Sequence, residues 1–180
     1  QGFVYTFDRV TGEPLWPIEE RAVPQETNMP GEVPAATQPF PTRPAPFDYQ
    51  GVTIDDLVDF TPELRQMAIE AVEGFTLGPL FQPPNRPVAG ETRGTIMRPP
   101  PGGTAGWAGG AVDPDTGMLY VPSRNQVSVV GLYEAQSTPG ATVEFTHGAP
   151  EAERMQQLRD GVRTGPQMPQ GLPLLKPPYS

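Results

Sequence analysis

A mainly β chain, made of repeated hairpins joined by long proline-rich loops and carrying an inserted helical segment, is the fold class this sequence predicts. Three observations lead to it. Residues 2–8, GFVYTFD, alternate aromatic and β-branched side chains, the period of a strand with two faces. The turn D-x-x-T-G occurs twice, in FDRVTGEPLW (7–16) and in VDPDTGMLYV (112–121), each time followed three or four residues later by an aromatic. The 26 prolines and 20 glycines form about a quarter of the 180 residues, a composition weighted toward connections. Two Trp, eight Phe and five Tyr argue for a real core, because disordered chains are short of aromatics.

Taken in order, residues 2–8 predict a strand with Phe3, Tyr5 and Phe7 on one face. Asp8 to Gly12 is the turn, since an Asp side chain can hold the backbone two residues on and Gly supplies a positive φ. Glu13 to Trp16 begins the returning strand, which Pro17 soon interrupts. Residues 1–16 are thus a hairpin, and 17–105 a proline-rich insertion. Its first part, 17–50, predicts an extended traverse with little ladder bonding. PFPTRPAP within it matches a short SH3-type ligand pattern, but short PxxP matches recur by chance and a rigid connection laid over a domain surface is the favoured reading.

Two helices are expected inside the insertion. Near 54–59, Thr53 and Asp56 have capping-box spacing, with Leu57, Val58 and Phe60 free to bury one side. Over 62–74, Thr61 stands as N-cap, Pro62 at the first helical position and Glu63 beside the positive helix end. Leu64, Met67, Ala68, Ala71, Val72 and Phe75 then form one apolar stripe. Strands follow at about 94–97 and, over the blade-like stretch 106–135, at 106–112, 118–122 and 126–133. A short helix is expected over 150–158, and the remainder of 136–180 reads as loop-rich connection.

Net charge is −9, and the twelve Lys and Arg are dispersed, so the electrostatic footprint of a nucleic-acid partner is missing. No apolar run is long enough to span a membrane. Cysteine is absent, which excludes disulfides and thiolate metal sites. The chain opens on Gln1 without a lead-in and closes on LPLLKPPYS; both ends look cut from something longer.

Candidate chemistry is sparse. His147, the only histidine, sits in a T-H-G turn without partners at catalytic or metal-binding spacing. Asp55 and Asp56 suit a helix start, and Glu151, Glu153 and Asp160 suit a solvated helix face. The glycine runs in PPPGGTAGWAGGAVD carry more. They match neither a P-loop nor a dinucleotide fingerprint. Glycines around a single Trp before a strand suggest close backbone approach to something flat or bulky; Trp107 as core filler at a tight strand entry is the other reading, and the local residues leave both open.

A strand, D-x-x-T-G, then a strand beginning near an aromatic is how a propeller blade repeats. Ala111-x-Asp113-x-x-Thr116-Gly117 and Asp8-x-x-Thr11-Gly12-x-x-x-Trp16 resemble the tryptophan-docking motif of the quinoprotein dehydrogenases. In those enzymes the motif's Trp packs between blades of an eight-bladed β-propeller. The second copy departs from the pattern, with Tyr120 near the Trp position. GFVYTFDRVTGEPLWPIEERAVPQ, TQPFPTRPAPFD, DLVDFTPELR, GPLFQPP, GWAGGAVDPDTGMLYVPS and LPLLKPPYS resemble, in order and spacing, landmarks of the glucose dehydrogenase branch dependent on pyrroloquinoline quinone (PQQ).

The resemblance implies part of one propeller domain over 1–180, in a periplasmic enzyme, often membrane-anchored, that oxidises an aldose or alcohol by hydride transfer to PQQ. Ca²⁺ or Mg²⁺ would polarise the quinone and ubiquinone would take the electrons. The remaining blades would be this chain's partners. The family's catalytic Asp has no match here, and its basic PQQ contact would fall before Gln1. Pro122 and Gly106 stand where many relatives carry Asn. Gly106, Trp107, Ala108 and Gly109 are therefore the positions left to line the quinone pocket, and the chain alone is expected to bind no cofactor and to be inactive. The competing expectation is a standalone, non-catalytic binding or structural protein that reuses propeller hairpins.

Overall fold

The structure is a computed structural model that describes residues 1–107, 109–134 and 145–147. Among these the architecture is mainly β, in two-stranded antiparallel sheets, with one α-helix. In chain order the elements are β1 (Ile18–Ala22), β2 (Thr37–Pro41), a 3₁₀ turn (Ile54–Asp56), α1 (Pro62–Val72), β3 (Thr95–Met97), β4 (Ala111–Asp113), β5 (Met118–Tyr120), β6 (Ser128–Val130), β7 (Leu132–Glu134) and β8 (Phe145–His147). β1 pairs with β2, β3 with β6, β4 with β5 and β7 with β8.

The expected strand over 2–8 is reduced to a single bridge, Phe7 to Pro14. Pro14 has no N–H to extend a ladder. The segment is held by its side chains instead. Phe3 meets Phe40 edge-on at 5.4 Å and Tyr5 at 6.0 Å, and the Tyr5 hydroxyl donates to the Pro39 carbonyl at 2.8 Å. Phe40 in turn meets Phe81 at 5.6 Å.

The proline-rich traverse does form a ladder, contrary to expectation, and it is the longest here: β1 and β2 pair over five residues, from Ile18 with Pro41 to Ala22 with Thr37. The reason lies in the register. Thr42 N–H donates to the Pro17 carbonyl and Val23 N–H to that of Ala36, so hydrogen-bonded pairs fall at every second position between them. Pro39 and Pro41 occupy the alternate, non-bonded positions, where a missing N–H faces away from the partner strand.

The packed core sits within the insertion. Val52, Leu57, Val58, Ala68, Val72, Phe75 and Ile96 form one buried cluster. Thr53 N–H donates to Asp56 Oδ2 at 2.7 Å, closing the 3₁₀ turn as the capping box requires. Thr61 Oγ1 accepts from Leu64 N–H at 3.2 Å and starts α1. Two residues expected to be buried are not core: Phe60, placed with the first helix, and Met67 of the α1 stripe are exposed. Phe60 lies in the link between the 3₁₀ turn and the α1 cap, outside either periodicity. Met67 is one residue, about 100°, around the helix from the buried Ala68.

Gly51 locks this core to the loop after α1. Its φ is 77°, and an added Cβ would stand 2.7 Å from Pro79 Cα and 2.8 Å from the Gly78 carbonyl. Gly51→Ala is expected to destabilise the chain by more than about 1–2 kcal/mol, the cost of the left-handed backbone alone, with the clash added. A urea midpoint unchanged from wild type would contradict this packing.

The later strands are shorter than expected. Residues 106, 107, 109 and 110 are loop, and pairing in this stretch is between Ala111–Asp113 and Met118–Tyr120. The run 126–133 splits at the buried Gly131 into β6, which joins β3, and β7, which joins β8. His147 lies in β8 opposite Leu132, a strand position and not a turn. The helix expected over 150–158 and the tail fall outside the described residues.

Candidate functional site

Both D-x-x-T-G segments fold into the same turn. In the first, Asp8 Oδ1 accepts from Val10 N–H at 2.9 Å and from Thr11 N–H at 2.8 Å, and Gly12 N–H returns to the Asp8 carbonyl at 2.9 Å. In the second, Asp113 Oδ1 accepts from Asp115 N–H at 2.9 Å, Oδ2 accepts from the Thr116 hydroxyl at 2.8 Å, and Gly117 N–H closes on the Asp113 carbonyl at 2.8 Å. Gly12 and Gly117 supply positive φ, 77° and 69°. Asp8's carboxyl is held below its ordinary pKa, first by the Thr11 N–H. Asp113's is lowered first by the Thr116 hydroxyl. Asp113→Ala should therefore speed amide exchange at Asp115 and Gly117 and leave α1 unaffected; equal protection in the variant would deny the side chain its role in the turn.

The hairpins are alike in a second respect. Neither buries its apolar residues. Phe7, Val10, Leu15 and Trp16 are exposed on the first, and Val112, Met118, Leu119 and Tyr120 on the second. Clustered exposure of this kind marks a surface made to be covered.

Between them lies the glycine loop. Trp107 is fully exposed, at 102 % of its reference area, and fills no core among the described residues. No protein atom lies within 4 Å of where a Cβ would stand on Gly102, Gly103, Gly106 or Gly109. Gly106 and Gly109 are joined by a tight turn, Gly109 N–H to the Gly106 carbonyl at 2.9 Å. Ala108 falls outside the described residues.

Thr104 anchors this loop. It is buried, its Oγ1 has no hydrogen-bond partner among the described residues, and its carbonyl accepts from Arg124 N–H at 3.2 Å. One residue earlier, the Ser123 hydroxyl donates to Asp48 Oδ2 at 2.7 Å. Asp48 packs on Gly2, where an added Cβ would come within 3.1 Å of the Asp48 Cβ. Phe47 N–H donates to the Gly2 carbonyl at 2.9 Å, and Gln50 Nε2 to that of Gln1 at 2.7 Å. The fold thus links residues 1–2 with 47–50, Asp48 with Ser123, and Arg124 with Thr104 at the start of the glycine loop. Sequence reading singled out the neighbouring 106–109 and none of these links, which join segments distant in the chain.

Among the described residues no group of three or more His, Cys, Asp or Glu is placed to hold a metal.

No curated protein and no solved structure matches the chain. A family model does, over residues 1–180: PQQ, described as glucose/ethanol/alcohol dehydrogenase, beta-propeller domain. Repeated docking-type turns, hairpins with uncovered apolar faces and a match along the whole length agree, and the chain belongs to the PQQ-dependent glucose/ethanol/alcohol dehydrogenase β-propeller family.

Proposed function

We propose that this chain is an internal part of a PQQ-dependent dehydrogenase that oxidises a sugar or alcohol, in the glucose dehydrogenase branch of its family. The family match over residues 1–180 carries the reading. The exposed faces of both hairpins support it, because neighbouring blades are the natural cover for them. When bound, PQQ supplies a quinone carbonyl that accepts hydride, made more electrophilic by a divalent metal, Ca²⁺ or Mg²⁺, held by residues outside those described here.

This chain's contribution is to line and orient. Trp107 offers its ring as a stacking face, and its neighbours in sequence, Gly106, Ala108 and Gly109, bring only small side chains to the approach. The docking-type turns set the hairpins that the remaining blades cover. Removal of the substrate's hydroxyl proton belongs to a carboxylate outside this chain, so the chain by itself neither retains PQQ nor catalyses. In the whole enzyme the partners are those blades, an aldose or alcohol, and ubiquinone. The enzyme works in the periplasm, held to the membrane by a segment outside this chain; among the described residues no helix is long and apolar enough to cross it.

With PQQ, Ca²⁺, an aldose and an artificial dye, the 180-residue chain is expected to give no reduction above a protein-free blank. Dye reduction that scales with the chain would overturn the assignment of catalysis to the missing blades.

A further inference from the structure

The β1–β2 sheet has two unlike edges. Alternate residues of each strand turn their backbone N–H and C=O away from the partner strand. On β2 these are Thr37, Pro39 and Pro41, and on β1 they are Ile18, Glu20 and Ala22. The β2 edge is closed. Pro39 and Pro41 have no N–H to offer, and the Pro39 carbonyl already accepts from the Tyr5 hydroxyl at 2.8 Å. Nothing comparable closes the β1 edge. No proline stands between Pro17 and Pro24, and among the described residues the N–H groups of Ile18, Glu20 and Ala22 have no hydrogen-bond partner. Glu19, Glu20, Arg21 and Ala22 are exposed. An open strand edge of this kind is a template for a strand of another chain.

We propose that the outer edge of β1 pairs antiparallel with the same edge of a second copy of this chain, about a two-fold axis through Glu20. The order Ile-Glu-Glu-Arg-Ala selects both the occupant and the register. Centred on Glu20, the pairing sets Ile18 of each copy opposite Ala22 of the other, and all the outward residues of both strands exchange backbone hydrogen bonds. Glu19 of each copy then stands opposite Arg21 of the other, in the closer, non-hydrogen-bonded kind of pair. Arg21 can take a second carboxylate. Its Nε and Nη2 donate to Glu19 of its own strand at 3.1 and 2.8 Å, and its Nη1 has no partner among the described residues. Sliding either strand by two residues loses backbone bonds and opposes Glu19 to Glu19 or Arg21 to Arg21. Glu20 meets its own copy at the axis, the one unfavourable contact of the favoured register. Five residues a side bury less than the roughly 1,000 Å² of a lasting interface, so the dimer is a weak one that forms at submillimolar to millimolar chain concentration.

Sedimentation velocity of the 180-residue chain over a concentration series up to millimolar tests this. Wild type should move from monomer to dimer, and Glu20→Gln should tighten the dimer about two- to fivefold, the scale of one opposed like-charge pair. Ala22→Pro removes an outward N–H from each copy at a position not bonded to β2, and should weaken the dimer about fivefold or more. Wild type mixed with Glu20→Lys should form a heterodimer tighter than either protein forms with itself, because opposite charges then meet at the axis. Wild type and Glu20→Gln that both stay monomeric throughout the series would overturn the proposal. Association that Ala22→Pro leaves at wild-type strength would also overturn it and assign the contact to the exposed hairpin faces. A mixture with Glu20→Lys no tighter than its parents would overturn the register centred on Glu20.

Discussion

Leu57→Ala is expected to lower the unfolding free energy by about 2–5 kcal/mol, the range for emptying a fully enclosed aliphatic site. Leu57 is fully buried, and among the described residues its cluster contains six other buried residues, contributed by 52–58, α1, Phe75 and β3. A domain is stable by about 5–15 kcal/mol in total, so one vacancy in so small a core removes a large share. Val33, 91 % exposed, is the control, and Val33→Ala should leave the urea midpoint unchanged. Similar midpoints for the two variants would mean that the insertion is not what holds this chain together.

Asp56→Ala should come next, at about 3 kcal/mol, near the lower end for breaking a buried pair because Asp56 keeps partial contact with water. The Arg98 side chain is 5 % exposed and Asp56 29 %. Arg98 donates to Asp56 Oδ1 at 2.9 Å and, through Nε, to the Gly51 carbonyl at 2.8 Å, with its guanidinium 5.1 Å from the Tyr49 ring. Removing the carboxylate strands a buried cation and opens the cap of the 3₁₀ turn together. Adding Arg98→Met to Asp56→Ala should recover part of the loss, because the stranded charge goes with it. A double variant less stable than Asp56→Ala would refute this account of the cost.

The same carboxylate makes stability depend on pH. Burial pushes the Asp56 carboxyl up, but the Thr53 N–H, the Arg98 guanidinium and the Thr53 hydroxyl outweigh it, and its pKa lies below the ordinary 3.8. A depressed folded-state value contributes stability that is fully present above the unfolded pKa, near 3.9, and lost as pH falls through the lower folded value. Wild type should therefore lose stability below about pH 4, and Asp56→Asn should lose less over the same interval. Parallel pH profiles would place the acid sensitivity elsewhere.

Local chemistry was legible in the sequence, and register was not. Asp8 and Asp113 announce their turns because the hydrogen bonds that make them lie within four residues. Thr61 and Pro62 announce α1 for the same reason. The β1–β2 ladder was hidden because whether Pro39 and Pro41 break a sheet depends on which way each missing N–H faces, and the distant partner strand sets that. Phe60 and Met67 were misplaced because an apolar residue at a helical interval is buried only where a neighbour arrives to cover it. The glycine loop was visible as composition, but its tie to Arg124 and, through Ser123, to Asp48 is a contact between segments up to 75 residues apart. The mainly β class and the family came through because both rest on repeated short motifs kept in order.

The account stands most directly on the product of the complete reading frame that contains this segment, assayed for dye reduction with an aldose or alcohol. It predicts turnover that requires both PQQ and a divalent metal, and a Trp107→Ala form with weakened PQQ binding and an unchanged unfolding midpoint. A full-length product that binds no PQQ and reduces no dye would contradict it, leaving a propeller-derived protein whose hairpins serve binding or structure alone.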